Sequence, residues 1–213
     1  MSVVMTLDEY ISSHIDTEPQ WLCDIDRATN LRLFNPRMCS GHLQGRLLKM
    51  IVQLSGAKKI LELGTFSGYS ALCLAEGLPD DGILHTVEAN DELEDFIKEN
   101  FALTPIGRKI RLHIGDAMKI IPSLSDEAPF DLVFIDADKR QYTDYYRLIK
   151  PMVRKGGLII ADNTLWDGHV VAQERHSTQT EGVMQFNDLV AADSQVEKII
   201  LPLRDGLTLI RIK

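Results

Sequence analysis

From residue 58 onward, two spacings of apolar positions alternate along the chain. Short, nearly continuous apolar runs read as buried strands: 58–63 (KKILEL), 82–87 (GILHTV), 130–135 (FDLVFI) and 157–160 (GLII). Residues 109–114 (KIRLHI) alternate polar and apolar and read as a further strand. Between them the spacing turns helical. Tyr69, Ala71, Leu72 and Leu74 follow the first strand, a helix capped by Asn90 starts at Asp91, and another runs from Ala117 to Leu124. A helix from about Gly182 to Ala192 precedes two last strands, 196–201 (VEKIIL) and 207–212 (LTLIRI). Asp205-Gly206 between them is a hairpin signal, so this pair is antiparallel. Strand–helix crossovers followed by a hairpin predict an α/β protein with a mixed sheet.

Before residue 58 the pattern is helical only. Thr6-Leu7-Asp8-Glu9 reads as a capping box, with Leu7, Tyr10, Ile11 and His14 near one face of the helix that follows. A second helix is predicted from Pro19 to about Leu33, closed by Phe34-Asn35-Pro36. A third runs from about Gly41 to Leu54, with Ser40 as a plausible N-cap and Leu43, Leu47, Met50, Ile51 and Leu54 as its core stripe. No linker-like stretch separates these helices from the rest. The expectation is one domain, 1–213, with 1–55 a helical cover on a core formed by 56–213. Residues 166–180 (WDGHVVAQERHSTQT) lack periodicity and read as a long loop, and its His169 and His176 receive no catalytic role.

Composition narrows the function. The 213 residues are 45% apolar, with net charge −8 and pI near 5.2. No block of Lys and Arg forms, which argues against nucleic acid as the main partner. Cys23, Cys39 and Cys73 match neither a paired framework nor a metal spacing, and read as reduced thiols in a cytoplasmic protein. Neither a membrane span nor a signal peptide is evident.

The chemistry concentrates at strand ends. After the first strand comes Glu62-x-Gly64-x-x-x-Gly68, with Thr65 and Ser67 in the turn. Such a turn below a helix N-terminus lets a ligand approach the backbone. In a dinucleotide fingerprint, Phe66 would be a glycine, and Glu62 would repel a pyrophosphate while attracting a cationic ammonium group. Glu88 ends the second strand, where ribose hydroxyls are met in such folds, although a surface acid is the plain alternative. Asp116 can accept from an adenine amine, cap its helix, or both. Asp136 follows the fourth strand, while Asp162 and Asn163 follow the fifth. Ligands bind outside the carboxyl ends of strands in open α/β sheets, so these three are expected at one mouth. Three oxygen ligands suit Mg²⁺, Mn²⁺ or Ca²⁺.

The segments ELGTFSGYS, FIDADK, ADNTLW and LPLRDGLTL resemble the cation-dependent, S-adenosylmethionine-dependent O-methyltransferases of the caffeoyl-CoA and catechol type, from about Arg37 onward. The resemblance implies a Rossmann-like seven-stranded sheet whose last strand is antiparallel. It implies metal ligands at Asp136, Asp162 and Asn163 and a general base at Lys139. Cofactor contacts are expected at Met38, Ser40, Glu62, Gly64, Thr65, Ser70, Glu88, Asp116, Ala117, Asp136 and Asp138, and an acceptor pocket at Trp166 and Asp167. The implied acceptor is a small phenolic molecule with vicinal oxygens, and the implied assembly a homodimer. Lys139 could instead simply pair with Asp138 or Asp136. Arg204 stands where many relatives carry Gly, and its cation could meet an acidic acceptor or lie on the surface. A nicotinamide-dependent oxidoreductase, disfavoured by Phe66, and a non-catalytic cofactor-binding protein are the competing classes.

Overall fold

A computed structural model describes residues 5–173 and 175–213. Three helices come first: α1 (Leu7–His14), α2 (Gln20–Arg32) and α3 (Gly41–Ser55). Strands and helices then alternate through β1 (Lys59–Leu63), α4 (Tyr69–Gly77), β2 (Ile83–Glu88), α5 (Glu94–Ala102), β3 (Ile110–Ile114), α6 (Ala117–Ser123), β4 (Phe130–Ile135), α7 (Tyr142–Ile149) and β5 (Val153–Asp162). The chain closes with α8 (Thr178–Ala192), β6 (Val196–Leu201) and β7 (Leu207–Ile212). The seven strands form one sheet in the order β3-β2-β1-β4-β5-β7-β6, and β7 runs antiparallel to both of its neighbours. This is the predicted mixed sheet.

Strand alternation sends side chains to two cores. Ile60, Leu132, Phe134 and Ile160 pack with Leu22 and Ile25 of α2, Leu48 and Val52 of α3 and Leu72 of α4. Leu61, Leu63, Val133, Ile135 and Ile159 face the other way, onto Tyr142, Tyr146 and Phe186. With both faces covered, the central strands read as continuous apolar runs.

Four expectations need correction. The core face of α3 is Gln44, Gly45, Leu48 and Val52, whereas Met50 and Leu54 of the expected stripe are exposed and Leu47 and Ile51 are only partly buried. The helix is apolar on two sides, and the buried one carries Gln44 and Arg46, whose partners Asp162 and Glu76 lie far along the chain. Similarly, α1 keeps its capping box but buries none of its residues; Leu7 and Tyr10 are exposed. β5 begins at Val153 rather than Gly157, because Gly156 (φ 74°) and Gly157 mask the strand pattern. α8 begins at Thr178, inside the segment expected to be irregular; its first turn, Thr178-Gln179-Thr180-Glu181, has no apolar rhythm, but Ser177 caps it by accepting from the Thr180 amide. Among the described residues no helix is long and apolar enough to cross a membrane.

Candidate active site

The strand order reverses between β1 and β4, and the crevice at such a reversal is where open α/β sheets take ligands. Packing within the protein is one reason that glycine fits this turn. Gly64 (φ 96°) has no room for a Cβ because the Asp136 carbonyl occupies that space, and a Cβ on Gly68 would sit 2.6 Å from the Phe101 ring. At both positions the missing Cβ makes room for neighbouring protein atoms. The Asp136 amide donates to Leu63 O at 2.8 Å and the Gly64 amide to Val87 O at 2.9 Å, so the ladder continues past the strands and ties the crevice together.

Two acids line the β1–β2 side. Glu62 is fully buried; its Oε2 accepts from the Thr86 hydroxyl, which in turn accepts from Thr65 at 2.6 Å. Its Oε1 has no hydrogen-bond partner among the described residues. Burial pushes this carboxyl up to about 8. Such a group fits a cationic partner, which would satisfy the free oxygen and restore the charge. Glu88 is nearly buried, and its two oxygens accept from the Phe66 amide at 2.8 Å and the Asn90 amide at 2.9 Å. It therefore holds the glycine turn, and each oxygen keeps a second lone pair for a hydroxyl.

On the β4–β5 side the acids meet a lysine. Lys139, 7% exposed, donates to Asp136 Oδ1 at 2.7 Å and to the Tyr142 hydroxyl at 2.7 Å. Of the two alternatives for an ion pair, Asp136 is the partner; Asp138 is clasped by Arg140, which holds its carboxyl below the usual range. The fully buried Tyr142 hydroxyl lies within reach of the carbonyls of Ile135 (3.2 Å) and Asp162 (3.1 Å), so one phenol joins the ends of both strands. Asp162, 3% exposed, accepts from Gln44 Nε2 at 2.5 Å and from the Asn163 amide at 2.7 Å. Burial and then the nearby Asp136 charge push its carboxyl up to about 6. Asn163 (φ 55°) donates its side-chain amide to Asp205 Oδ2 at 3.3 Å. The Trp166 ring centre lies 6.0 Å from Lys139 Nζ.

The remaining expected positions surround this centre. Ser70 is buried in the first turn of α4, and Ala117 opens α6 behind Asp116, which is exposed and caps the helix through the Met118 amide at 2.9 Å. Ser40 is buried at the start of α3 but makes no side-chain cap bond, while Met38 and Asp167 are exposed. Sequence reasoning missed Gln44, Tyr142 and, except as a turn residue, Asp205. Only Tyr142 carried a signal, standing three residues past Lys139.

The sequence matches the O-methyltransferase family over residues 10–213. It is 34% identical over 217 aligned positions to a catechol O-methyltransferase from Niastella koreensis, spanning 98% of this chain and 97% of that protein. It is also 34% identical to caffeoyl-CoA O-methyltransferase 2 from Zea mays, across 91% of this chain and 77% of the relative. Among solved structures, the O-methyltransferase TomG from Streptomyces achromogenes, in complex with S-adenosylmethionine (SAM), superposes with a TM-score of 0.88 at 31% identity, covering 97% of this chain and 96% of that one. An O-methyltransferase from Bacillus cereus in complex with SAH gives 0.88 at 29% identity, covering 97% of each chain.

The chain belongs to the O-methyltransferase family. It is an enzyme that uses S-adenosylmethionine. The cofactor is a cation, and Glu62, buried with one oxygen unpartnered among the described residues, is a group that a cation would fit. Asp136, Asp162 and Asn163 form an all-oxygen donor set suited to a hard cation. The upward push of Asp136 on Asp162 is what a bound cation would offset. Among the described residues, no group of three or more His, Cys, Asp or Glu side chains gathers to hold a metal.

Proposed function

We propose that this O-methyltransferase methylates one hydroxyl of a small catechol-like molecule, with a divalent cation, Mg²⁺ foremost, at Asp136, Asp162 and Asn163 and with Lys139 as general base. The observation that carries the reading is the meeting of Asp136 and Asp162 at adjacent strand ends, with the Lys139 ammonium 2.7 Å from Asp136. The names of the catechol and caffeoyl-CoA relatives support the acceptor class.

A phenol has a pKa of about 10 and is mostly protonated at neutral pH. When bound, the divalent cation lowers the pKa of a chelated hydroxyl and fixes two vicinal oxygens, and the sulfonium of SAM supplies a methyl already carried on a good leaving group. The chain does the rest. Glu62 takes the ammonium end of SAM and Glu88 the ribose hydroxyls. Met38, Ser40, Ser70, Asp116, Ala117 and Asp138 border the same ligand. Lys139, where it stands as the neutral amine, accepts the acceptor's proton and becomes the ammonium that donates to Asp136 on one side and Tyr142 on the other. Trp166 covers the lysine, which keeps water from it, and Asp167 borders the acceptor at the surface. Positioning contributes much of the remaining rate.

The homodimer reading is supported by α3, whose Met50 and Leu54 lie on one exposed face at a spacing of four residues. The decisive experiment for the acceptor compares vicinal diphenols with simple monophenols at matched concentration in the presence of SAM and Mg²⁺. Catechols are expected to turn over and monophenols are not; equal rates would exclude chelation as the means of recognition.

A further inference from the structure

Arg204 lies in the tight connection between β6 and β7, in the left-handed region at φ 48°. The turn around it is held firmly against the segment after β5. The Asp205 carbonyl accepts from the amides of Leu165 (2.7 Å) and Trp166 (3.1 Å), and the Gly206 carbonyl accepts from Thr164 at 3.0 Å. A Cβ on Gly206 (φ 91°) would fall 2.5 Å from the Leu165 side chain, so only glycine permits this approach. The same turn sends Asp205 to the Asn163 amide. From this fixed base the Arg204 guanidinium reaches across the chain. It donates to the carbonyls of Cys39 (2.9 Å), Ser40 and Arg37 (3.3 Å). The guanidinium thus holds backbone oxygens and is not an idle surface cation.

The segment it grips links both halves of the site. Cys39 is 7% exposed and packs in the core cluster that includes Tyr69, at the start of the helix that follows the glycine turn. Ser40 and Met38 flank it. The following helix α3 carries Gln44 to Asp162, yet its N-cap Ser40 makes no side-chain cap bond. The guanidinium is therefore a major restraint on the wall that runs from the glycine turn to the metal side.

We propose that Arg204 is a positioning residue, fastening residues 37–40 as one wall of the cofactor site to the turn that carries Asp205; this rests on the cofactor reading given above. Charge-assisted bonds from a planar fork to several carbonyls suit arginine and not lysine. Since the Arg204 guanidinium holds backbone carbonyls of that wall, its effect is on binding rather than on the chemical step.

Arg204→Gly is the informative variant, because glycine relieves the left-handed backbone and removes only the clamp. SAM affinity by titration calorimetry is expected to weaken about fivefold or more, with kcat at saturating SAM near wild type and the melting temperature held. Arg204→Lys, a point charge able to serve one carbonyl, is expected to fall between the two. Wild-type affinity in Arg204→Gly would overturn the proposal. So would an unfolded Arg204→Gly together with a Lys variant that binds SAM like wild type, since the residue would then be only structural. Failure of the wild-type protein to bind SAM would instead refute the cofactor reading.

Discussion

Lys139 Nζ lies 2.7 Å from Asp136 Oδ1, so the proposed base and a proposed metal ligand share one charge-assisted hydrogen bond just beyond the end of β4. With its other contact on Tyr142, the ammonium is held in one place, close to where a chelated hydroxyl would release its proton.

Lys139→Ala is expected to leave SAM and metal binding nearly intact and to lower kcat by about 10²–10⁴-fold, the usual share of general-base catalysis. The loss should shrink as pH rises, because hydroxide then deprotonates the chelated phenol without help. The check is kcat against pH at saturating metal for both proteins. A ratio that stays constant from about pH 7 to 10 would assign Lys139 to positioning or pairing, since a base's share must fall as hydroxide rises.

Tyr142→Phe removes the hydroxyl that spans the Ile135 and Asp162 carbonyls and supports Lys139. The expected cost is about 1–3 kcal/mol of stability, from buried polar groups left without a partner, and a lower kcat with little change in SAM affinity. Because Tyr142 would act through Lys139, adding Tyr142→Phe to Lys139→Ala should lower kcat no further. Additive losses in that double mutant would separate the two residues.

Glu62 couples stability to pH. Its folded pKa of about 8 stands above the ordinary 4.5, so the proton is bound more tightly in the folded state. The stability linked to that proton is full below pH 4.5 and is lost as pH rises through about 8. Glu62→Gln mimics the protonated form. Thermal melts without SAM should show the variant gaining on wild type between pH 5 and 8, while calorimetry should show SAM binding weakened by about tenfold or more. A variant that melts in parallel with wild type across that range would mean that Glu62 is already ionised in the fold.

Much of this was legible in the sequence, and the exceptions have physical reasons. The ends of β4 agree with the predicted run because a strand covered on both faces must be apolar throughout, and those of β6 and β7 agree because the Asp205-Gly206 turn punctuates the pair. Glu62, Glu88, Asp136 and Asp162 were readable because acids at successive strand ends share one edge of the sheet. Gln44 was not, since nothing local to an apolar helix marks a polar residue whose partner lies 118 positions away. Tyr142 had one signal, its place three residues past Lys139, but it shares its segment with Tyr145 and Tyr146, which pack in the same core. A pattern of glycines records that space is needed but not which group fills it; at Gly64 the Asp136 carbonyl fills the Cβ space.

Glu88→Ala should weaken SAM binding by about tenfold or more, or about 1.4 kcal/mol, through loss of its hydroxyl acceptors. The change also frees the Phe66 and Asn90 amides, so a melt should accompany the titration. Unchanged affinity with an intact melt would move the ribose contact elsewhere.

The most direct measurement is methyl transfer from SAM to a catechol as divalent cation is removed and returned. Chelator should abolish turnover, and Mg²⁺ or Mn²⁺ should restore it along a saturation curve that shifts to much higher concentration in Asp162→Ala. Turnover that persists at the wild-type rate in excess chelator would contradict the metal-assisted mechanism and remove the reason for grouping Asp136, Asp162 and Asn163.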